Sequence, residues 1–138
     1  MKTVLFVCVH NAGRSQMAEA FFNHLAEQRG LPFRALSAGT AAGAQINPVV
    51  AEAMREAGLS LEGHCPKMLT QEMVDAADRI ITMGCGVDAT ACPARLYITE
   101  DWGLPDPAGQ PLAIVRQIRD AIRDHVGKLC DELTGQSS

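Results

Sequence analysis

The sequence of 138 residues is short of lysine, of basic runs and of long apolar stretches. It holds three Lys beside nine Arg, and its formal net charge is −4 at pH 7. Because it has no basic run, it lacks the electrostatic signature of a nucleic-acid-binding protein. The apolar run of residues 3–9 is far shorter than the roughly 20 residues that span a membrane, and it lacks the cleavage pattern of a signal peptide. These absences predict a cytoplasmic protein with no nucleic-acid partner and no membrane partner.

The rest of the composition is typical of a globular chain. Hydrophobic residues make up 47% and charged residues 20%, which excludes wholesale disorder, collagen-like repeats and a coiled coil. A chain of this mass buries about two-thirds of the surface that its unfolded form exposes, so the core needs no disulfide or metal. In a reducing compartment, the five cysteines are suited to catalysis, metal binding or packing rather than permanent bridges. We predict a single domain over residues 1–138.

Segments typical of strands and of helices alternate along the chain. Continuous apolar, β-branched runs predict strands buried on both faces, and apolar residues three and four apart predict helices. The predicted strands cover residues 2–8, 33–38, 79–83 and 95–99. The predicted helices cover residues 15–29, 69–77 and 111–133, with a further one that begins at Asn47-Pro48 and is closed by Gly58. This alternation predicts an α/β fold, an open parallel sheet of about four strands with helices on both faces.

The loop from Cys8 to Ser15 joins the first strand to the first helix. Ligands of open α/β sheets bind at the carboxyl ends of strands, where a turn and a helix N-terminus direct N–H groups at one point. We therefore expect a nest for a tetrahedral oxyanion such as phosphate or arsenate. Its positive field favours a Cys8 thiolate, Arg14 can contact two oxyanion oxygens, and Ser15 could hydrogen-bond the sulfur. The alternative is a buried strand-end cysteine with a surface arginine. The predicted oxyanion-binding residues are Val9, His10, Asn11, Ala12, Gly13, Arg14 and Ser15.

Cys85 and Cys92 follow the third predicted strand, seven residues apart. Zinc sites commonly use closer pairs of cysteines, so this spacing does not favour a metal. In a helix the two Cα atoms would lie about 10.5 Å apart, beyond the roughly 7 Å that a disulfide allows. A bridge would require the segment to unwind or loop out, which Gly84, Gly86 and Pro93 make plausible. Redox thiols and two unrelated buried thiols are both open interpretations.

The sequence around the remaining candidate residues gives less indication of their function. Asp106-Pro107 lies in a loop rich in Gly and Pro, and on residue type alone it indicates a turn. Cys130 is expected in the core beside Leu129, and Cys65 has no assigned role. We expect His24 and His125, both on predicted helices, at the surface.

The stretch VLFVCVHNAGRSQMAEAF, residues 4–21, resembles the oxyanion loop of the low-molecular-weight tyrosine phosphatase superfamily. It is more similar to the arsenate reductase branch, in which Arg-Ser-Gln-Met-Ala follows the cysteine loop. Similar features recur at Ser37-Ala38-Gly39, Gly63-His64, Pro66-Lys67, Thr82-Met83-Gly84-Cys85 and Asp106-Pro107, so the resemblance covers nearly the whole chain. It implies a phosphatase-like fold and a thioredoxin-coupled arsenate reductase.

The resemblance implies a relay of three cysteines. Cys8 attacks arsenate in the loop, Cys85 attacks Cys8 as arsenite leaves, and Cys92 attacks Cys85 and frees Cys8. Thioredoxin or another thiol reductant then reduces the Cys85–Cys92 disulfide, with no tightly bound cofactor and no metal. The resemblance also implies that Asp106 is the general acid that protonates the departing oxygen.

The loop has further candidate supporting residues. Asn11 can organise it through its side-chain amide and also tolerates a left-handed backbone. Glu19 and Ser37 resemble residues that support the loop through an alkali cation in some relatives, and Lys67 could supply a positive charge there instead.

Two other functions remain open. A low-molecular-weight protein tyrosine phosphatase would need only Cys8, Arg14 and Asp106, with a Cys8 phospho-enzyme. Against it, no Tyr follows Asp106-Pro107, Gly13 replaces a frequent second loop cysteine, and the later thiols stay unexplained. A thiol sensor or oxyanion-binding protein without turnover is the third possibility.

Overall fold

The computed structural model describes residues 2–83 and 100–136. Within these ranges the chain alternates between strands and helices, as the sequence predicts. The strands are β1 (Lys2–Cys8), β2 (Phe33–Gly39), β3 (Arg79–Thr82) and β4 (Glu100–Asp101). The helices are α1 (Arg14–Arg29), α2 (Pro48–Glu56), α3 (Gln71–Ala76) and α4 (Leu112–Gln136).

The four described strands form one parallel sheet in the order β2-β1-β3-β4. β1 pairs along its whole length with β2 and also pairs with β3, so Cys8 ends a strand in the interior of the sheet. An apolar run with parallel neighbours on both sides has both of its faces covered. This explains why β1 is the most apolar strand and why its last five residues are buried.

Helices cover both faces of the sheet, which confirms the predicted α/β class. On one face, Val4 and Phe6 of β1 belong to the large core that also includes buried residues of α1, α2 and α4. On the other face, Leu5 and Val7 pack in a smaller cluster with Val74 of α3. The alternating directions of successive strand side chains divide β1 between the two cores.

Most predicted boundaries agree with the structure to within a few residues. α3 is shorter than predicted because Thr70 caps it: the Thr70 hydroxyl accepts a hydrogen bond from the Met73 N–H at 3.2 Å. α4 extends beyond the predicted end at Leu133 and reaches Gln136. The strand predicted over residues 95–99 lies outside the described residues. In the described part of the chain, no helix has the length and apolarity needed to cross a membrane.

Candidate active site

The backbone of the loop between β1 and α1 is held from outside. The carbonyls of Cys8, Val9, His10 and Ala12 accept hydrogen bonds at 2.8–3.1 Å from N–H groups of the segment 40–47. The Gly13 carbonyl accepts from Met17 N–H at 2.9 Å, in the first turn of α1. Five of the loop's carbonyls are therefore turned towards neighbouring backbone.

This arrangement directs N–H groups to the inside of the loop. In a trans peptide the C=O and the following N–H point in opposite directions. The N–H groups that follow the five bonded carbonyls therefore turn inwards. One of them, Asn11 N–H, donates to the Cys8 Sγ at 3.2 Å. Inward N–H groups in front of the N-terminus of α1 are an arrangement that suits an oxyanion.

Cys8 lies at the base of this nest. Its side chain is buried, and its Sγ lies 2.8 Å from the Ser15 hydroxyl, as the sequence analysis expected. The Asn11 side-chain amide donates to the same hydroxyl at 2.6 Å. Since the amide nitrogen can only donate, the hydroxyl oxygen accepts there and is free to direct its proton at sulfur. The sulfur therefore has two potential hydrogen-bond donors, the Asn11 N–H and the Ser15 hydroxyl.

Asn11 organises the loop from its most strained position. Its φ of 52° lies in the left-handed region, which asparagine adopts more readily than most residues. Its Oδ1 accepts from Gln16 Nε2 and from the Lys67 backbone N–H, both at 2.9 Å. The side chain is completely buried. These contacts agree with the expected organising position of Asn11.

Gln16 is the supporting residue that the sequence reasoning missed. It is fully buried in α1, and its Nε2 also donates to the Cys65 carbonyl at 3.1 Å. A polar residue one position after Ser15 on a helix has no distinctive spacing. A signal did exist in the Arg-Ser-Gln-Met-Ala stretch, where Gln16 stands between two site residues and an apolar pair.

Behind the loop, Glu19 lies buried among polar groups. Its carboxylate accepts from the Ser37 hydroxyl at 3.2 Å and lies 3.9 Å from Lys67 Nζ and 3.5 Å from His64 Nδ1. The structure thus brings the expected pair Glu19 and Ser37 together with the Lys67 charge. Among the described residues, no cluster of three or more His, Cys, Asp and Glu side chains is arranged to hold a metal.

The Arg14 guanidinium is buried and fixed at one end. Its NH1 group donates to the Leu104 carbonyl at 2.7 Å and to the Met83 carbonyl at 3.1 Å. Arg14 thereby joins the start of α1 to the end of β3 and to the loop that contains Asp106. Holding the guanidinium in place before a ligand arrives reduces the entropic cost of binding an oxyanion.

A cleft of about 290 Å³ opens above Cys8. Arg14 and Asp106 line it together with apolar and neutral residues of three loops. The remaining lining residues are His10, Ala12, Gly13, Gly43, Gln45, Ile46, Asn47, Pro48, Pro107 and Ala108. Of the predicted oxyanion-binding residues, Asn11 and Ser15 instead lie buried beneath the cleft, and Val9 does not line it.

Asp106 combines the two interpretations that the sequence left open. Its Oδ1 accepts from the Ala108 N–H at 3.0 Å, which is a turn contact, and the residue also lines the cleft. Next to it, Pro107 packs directly on the oxyanion loop. A Cβ added to Gly13 would lie 2.8 Å from Pro107 Cγ, closer than atoms pack. Gly13 therefore lets the Asp106 loop close against the nest.

The other cysteines and histidines differ in their surroundings. Cys130 is buried as predicted, and burial raises the pKa of its thiol. Cys65 is exposed, and Cys85 and Cys92 lie outside the described residues. His24 is exposed as predicted. His125 is not a free surface residue, because its ring stacks on Trp102 with the two centroids 4.8 Å apart.

Taken together, the parallel sheet, the N–H nest and the thiol beside a fixed arginine define the class. This is an α/β protein of the phosphatase-like kind, with a buried cysteine thiol at the base of its cleft. Within that class, the family described as low molecular weight phosphotyrosine protein phosphatase matches residues 3–138, and the chain belongs to it.

Similar proteins indicate the branch of the family. A putative arsenate reductase of Halobacterium salinarum is 39% identical over 132 residues, which are 92% of this chain and 89% of that protein. A solved arsenate reductase in the phosphate binding state is 32% identical, with a TM-score of 0.81 over 96% of this chain and 99% of the other. The thioredoxin-dependent arsenate reductase of Corynebacterium glutamicum is 33% identical, with a TM-score of 0.77 over 99% of this chain and 63% of that chain. The resemblance seen in the sequence is confirmed.

Proposed function

We propose that this protein is a thiol-dependent arsenate reductase. The observation that carries the proposal is the Cys8 thiol, which lies at the base of an N–H nest beside the fixed Arg14. An ion with the shape and charge of phosphate fits such a nest. The names of the relatives favour arsenate as the ion that is turned over.

In the first step the Cys8 thiolate attacks arsenic. A sulfur–arsenic bond forms, one arsenic–oxygen bond breaks, and the oxygen leaves as water. Asp106, which lines the same cleft, is the proposed source of the proton that the leaving oxygen needs. Arg14 and the inward N–H groups hold the other oxygens as charge develops on them.

In the second step the Cys85 thiolate attacks the Cys8 sulfur. A Cys8–Cys85 disulfide forms, and the electron pair of the sulfur–arsenic bond passes to arsenic, which leaves as arsenite. Cys92 then attacks Cys85, which frees Cys8 and leaves a Cys85–Cys92 disulfide. A dithiol partner of the thioredoxin type takes the disulfide back to two thiols. The proposed relay needs no tightly bound cofactor, and it suits a reducing compartment such as the cytoplasm.

The test is arsenate-dependent turnover with thioredoxin, thioredoxin reductase and NADPH. We expect the wild-type protein to release arsenite continuously and Cys8→Ser to release none, because a hydroxyl is neither an adequate nucleophile nor a redox centre. Arg14→Ala should fail through lost oxyanion binding. Cys65→Ser, which alters an exposed thiol, is the matched control and should remain active. Normal turnover by Cys8→Ser would falsify the assignment.

A protein tyrosine phosphatase is the second candidate, favoured by the description of the family. It would use the same Cys8, Arg14 and Asp106 but would leave Cys85 and Cys92 without a purpose. Hydrolysis of p-nitrophenyl phosphate, measured in parallel, separates the two functions. Fast ester hydrolysis without arsenate turnover selects the phosphatase. If the protein shows neither activity, the remaining interpretation is an oxyanion-binding protein or a thiol sensor.

A further inference from the structure

The His10 side chain occupies a position that the proposed chemistry does not yet use. His10 is the third residue of the loop, it is exposed, and it lines the cleft above Cys8. Its backbone carbonyl is bonded to Gly43 N–H at 2.9 Å. The loop therefore needs only the backbone of this residue, and the imidazole is available for another task.

A single contact fixes how the imidazole is presented. Nδ1 lies 3.2 Å from the Ala41 carbonyl. A carbonyl oxygen can only accept, so the hydrogen bond requires the proton on Nδ1. Nε2, on another edge of the ring, is turned away from Ala41. Ala41 is itself fixed to the loop, since its N–H donates to the Val9 carbonyl at 2.8 Å.

The charges of the cleft lining suit Nε2 of His10 to anion binding. Among the described residues that line the cleft, Arg14 is the one permanent cation, and the titratable groups beside His10 are Cys8 and Asp106. The wall contributed by residues 43–48 is uncharged. Histidine is the side chain that ordinarily gains a proton near neutral pH. A second proton on Nε2 would add a positive charge at the mouth of an anion site.

We propose that the His10 side chain is a further oxyanion-binding group. In its imidazolium form, Nε2–H donates to an oxygen of the bound ion at the cleft mouth, and Nδ1–H stays on the Ala41 carbonyl. His10 thereby favours doubly charged ions and makes their binding depend on pH. The proposal rests on the oxyanion site of the proposed function, and it does not require that arsenate be reduced.

The experiment measures sulfate affinity by calorimetry from pH 5.5 to 8.5, under reducing conditions. Sulfate is a tetrahedral dianion whose charge stays constant over this range, so the ligand contributes no titration. The proteins are wild type, His10→Gln and the control His24→Gln, which alters an exposed histidine on α1. All other groups that line the cleft are the same in the three proteins, so a pH dependence of the ratio of their dissociation constants reports the substitution at His10.

We expect His10→Gln to bind sulfate about 3- to 10-fold more weakly than wild type at pH 5.5, where the lost hydrogen bond is charge-assisted. The ratio should approach one at pH 8.5, because the proposed hydrogen bond requires the imidazolium form. His24→Gln should match wild type throughout. A ratio that does not change with pH, or no sulfate binding by any of the proteins, overturns the proposal.

A second variant tests the charge itself. His10→Lys keeps a cation at the cleft mouth over the whole range and should bind sulfate more tightly than wild type at pH 8.5. Equal or weaker binding there counts against an electrostatic contribution of His10. Arsenate turnover, assayed in parallel, separates the two hypotheses. Turnover with a constant ratio refutes only the His10 proposal, and a pH-dependent ratio without turnover refutes only the reductase assignment.

Discussion

The Asp106 carboxyl group lines the cleft and closes its own turn at the same time. One oxygen, Oδ1, accepts the Ala108 N–H, which fixes the side chain relative to the loop. The turn contact therefore holds the proposed general acid in place, since a general acid must lie within hydrogen-bond reach of the leaving oxygen.

Asp106→Asn separates these two properties. The asparagine keeps a carbonyl oxygen for the Ala108 N–H and loses the acidic proton. We expect the folded structure to persist and the first chemical step to slow by about 10²- to 10⁴-fold. Single-turnover formation of the Cys8–arsenic adduct, followed by mass spectrometry, measures the step. The control is Asp75→Asn, which alters an exposed carboxylate on α3. A wild-type rate for Asp106→Asn would show that Asp106 serves the turn and is not the general acid.

At the scale of single residues, the sequence predicts the reacting groups better than the residues that hold them in place. Cys8 and Arg14 were visible because residue type, spacing and the flanking strand and helix agree. Gln16 was not singled out, because a buried amide in a helix has no periodicity of its own and its partners come from distant segments. His125 was expected at the surface, since its contact with Trp102 depends on how α4 lies beside β4.

At the scale of elements, the oxyanion loop and the Asp106 loop meet at one close contact. Gly13 precedes α1, and Pro107 packs where a side chain of residue 13 would lie. We expect this contact to set the distance between the nest and Asp106, the proposed acid.

Gly13→Ala should move the acid loop away from the nest. The added methyl group must displace Pro107, and a displacement near 1 Å at a catalytic group can lower the rate about 10²-fold. We expect arsenite release to fall by about 10- to 100-fold, with a loss of about 1–3 kcal/mol in the free energy of unfolding from overpacking. Steady-state assays and urea denaturation measure the two effects.

Gly127→Ala is the matched control. Gly127 lies inside α4, and a Cβ added there meets no atom within 4 Å. Alanine should therefore raise the free energy of unfolding by about 0.5–1 kcal/mol and leave the activity unchanged. If Gly13→Ala behaves like Gly127→Ala, the Pro107 contact does not set the position of the acid.

The spacing of apolar residues predicted the buried face of a helix well where only one face of that helix is buried. The apolar stripe of α4, from Val115 to Leu133, faces the core as its spacing indicates. α1 is different, because its first six residues are all buried, and four of them make polar contacts around the loop: Arg14, Ser15, Gln16 and Glu19.

At the scale of the whole molecule, the site draws on distant parts of the chain. Arg14 NH1 bonds the carbonyls of Met83 and Leu104, which flank the segment with Cys85 and Cys92 in the sequence. β1, between β2 and β3, places Cys8 where these parts converge. The sequence alone predicted the sheet and placed the site at the carboxyl ends of its strands. It could not predict which backbone carbonyls fix Arg14.

The order of the three thiols is a property of the whole chain and can be read from trapped disulfides. Cys92→Ser should stop with a Cys8–Cys85 bridge and release about one arsenite per protein, because nothing then resolves that bridge. Cys85→Ser should stop earlier, with arsenic still on Cys8. Peptide mapping identifies each species. Continuous thioredoxin-driven turnover by Cys92→Ser would remove Cys92 from the relay.

The outward-bonded carbonyls of the oxyanion loop also determine which mutations the site can survive. The N–H donors of the loop belong to the backbone, so a change of side chain at Val9, which does not line the cleft, leaves them in place. Gly39 offers no such freedom, because a Cβ on it would lie 2.5 Å from the Val9 carbonyl oxygen. The shape of the loop therefore also depends on a glycine of the neighbouring strand that does not line the cleft.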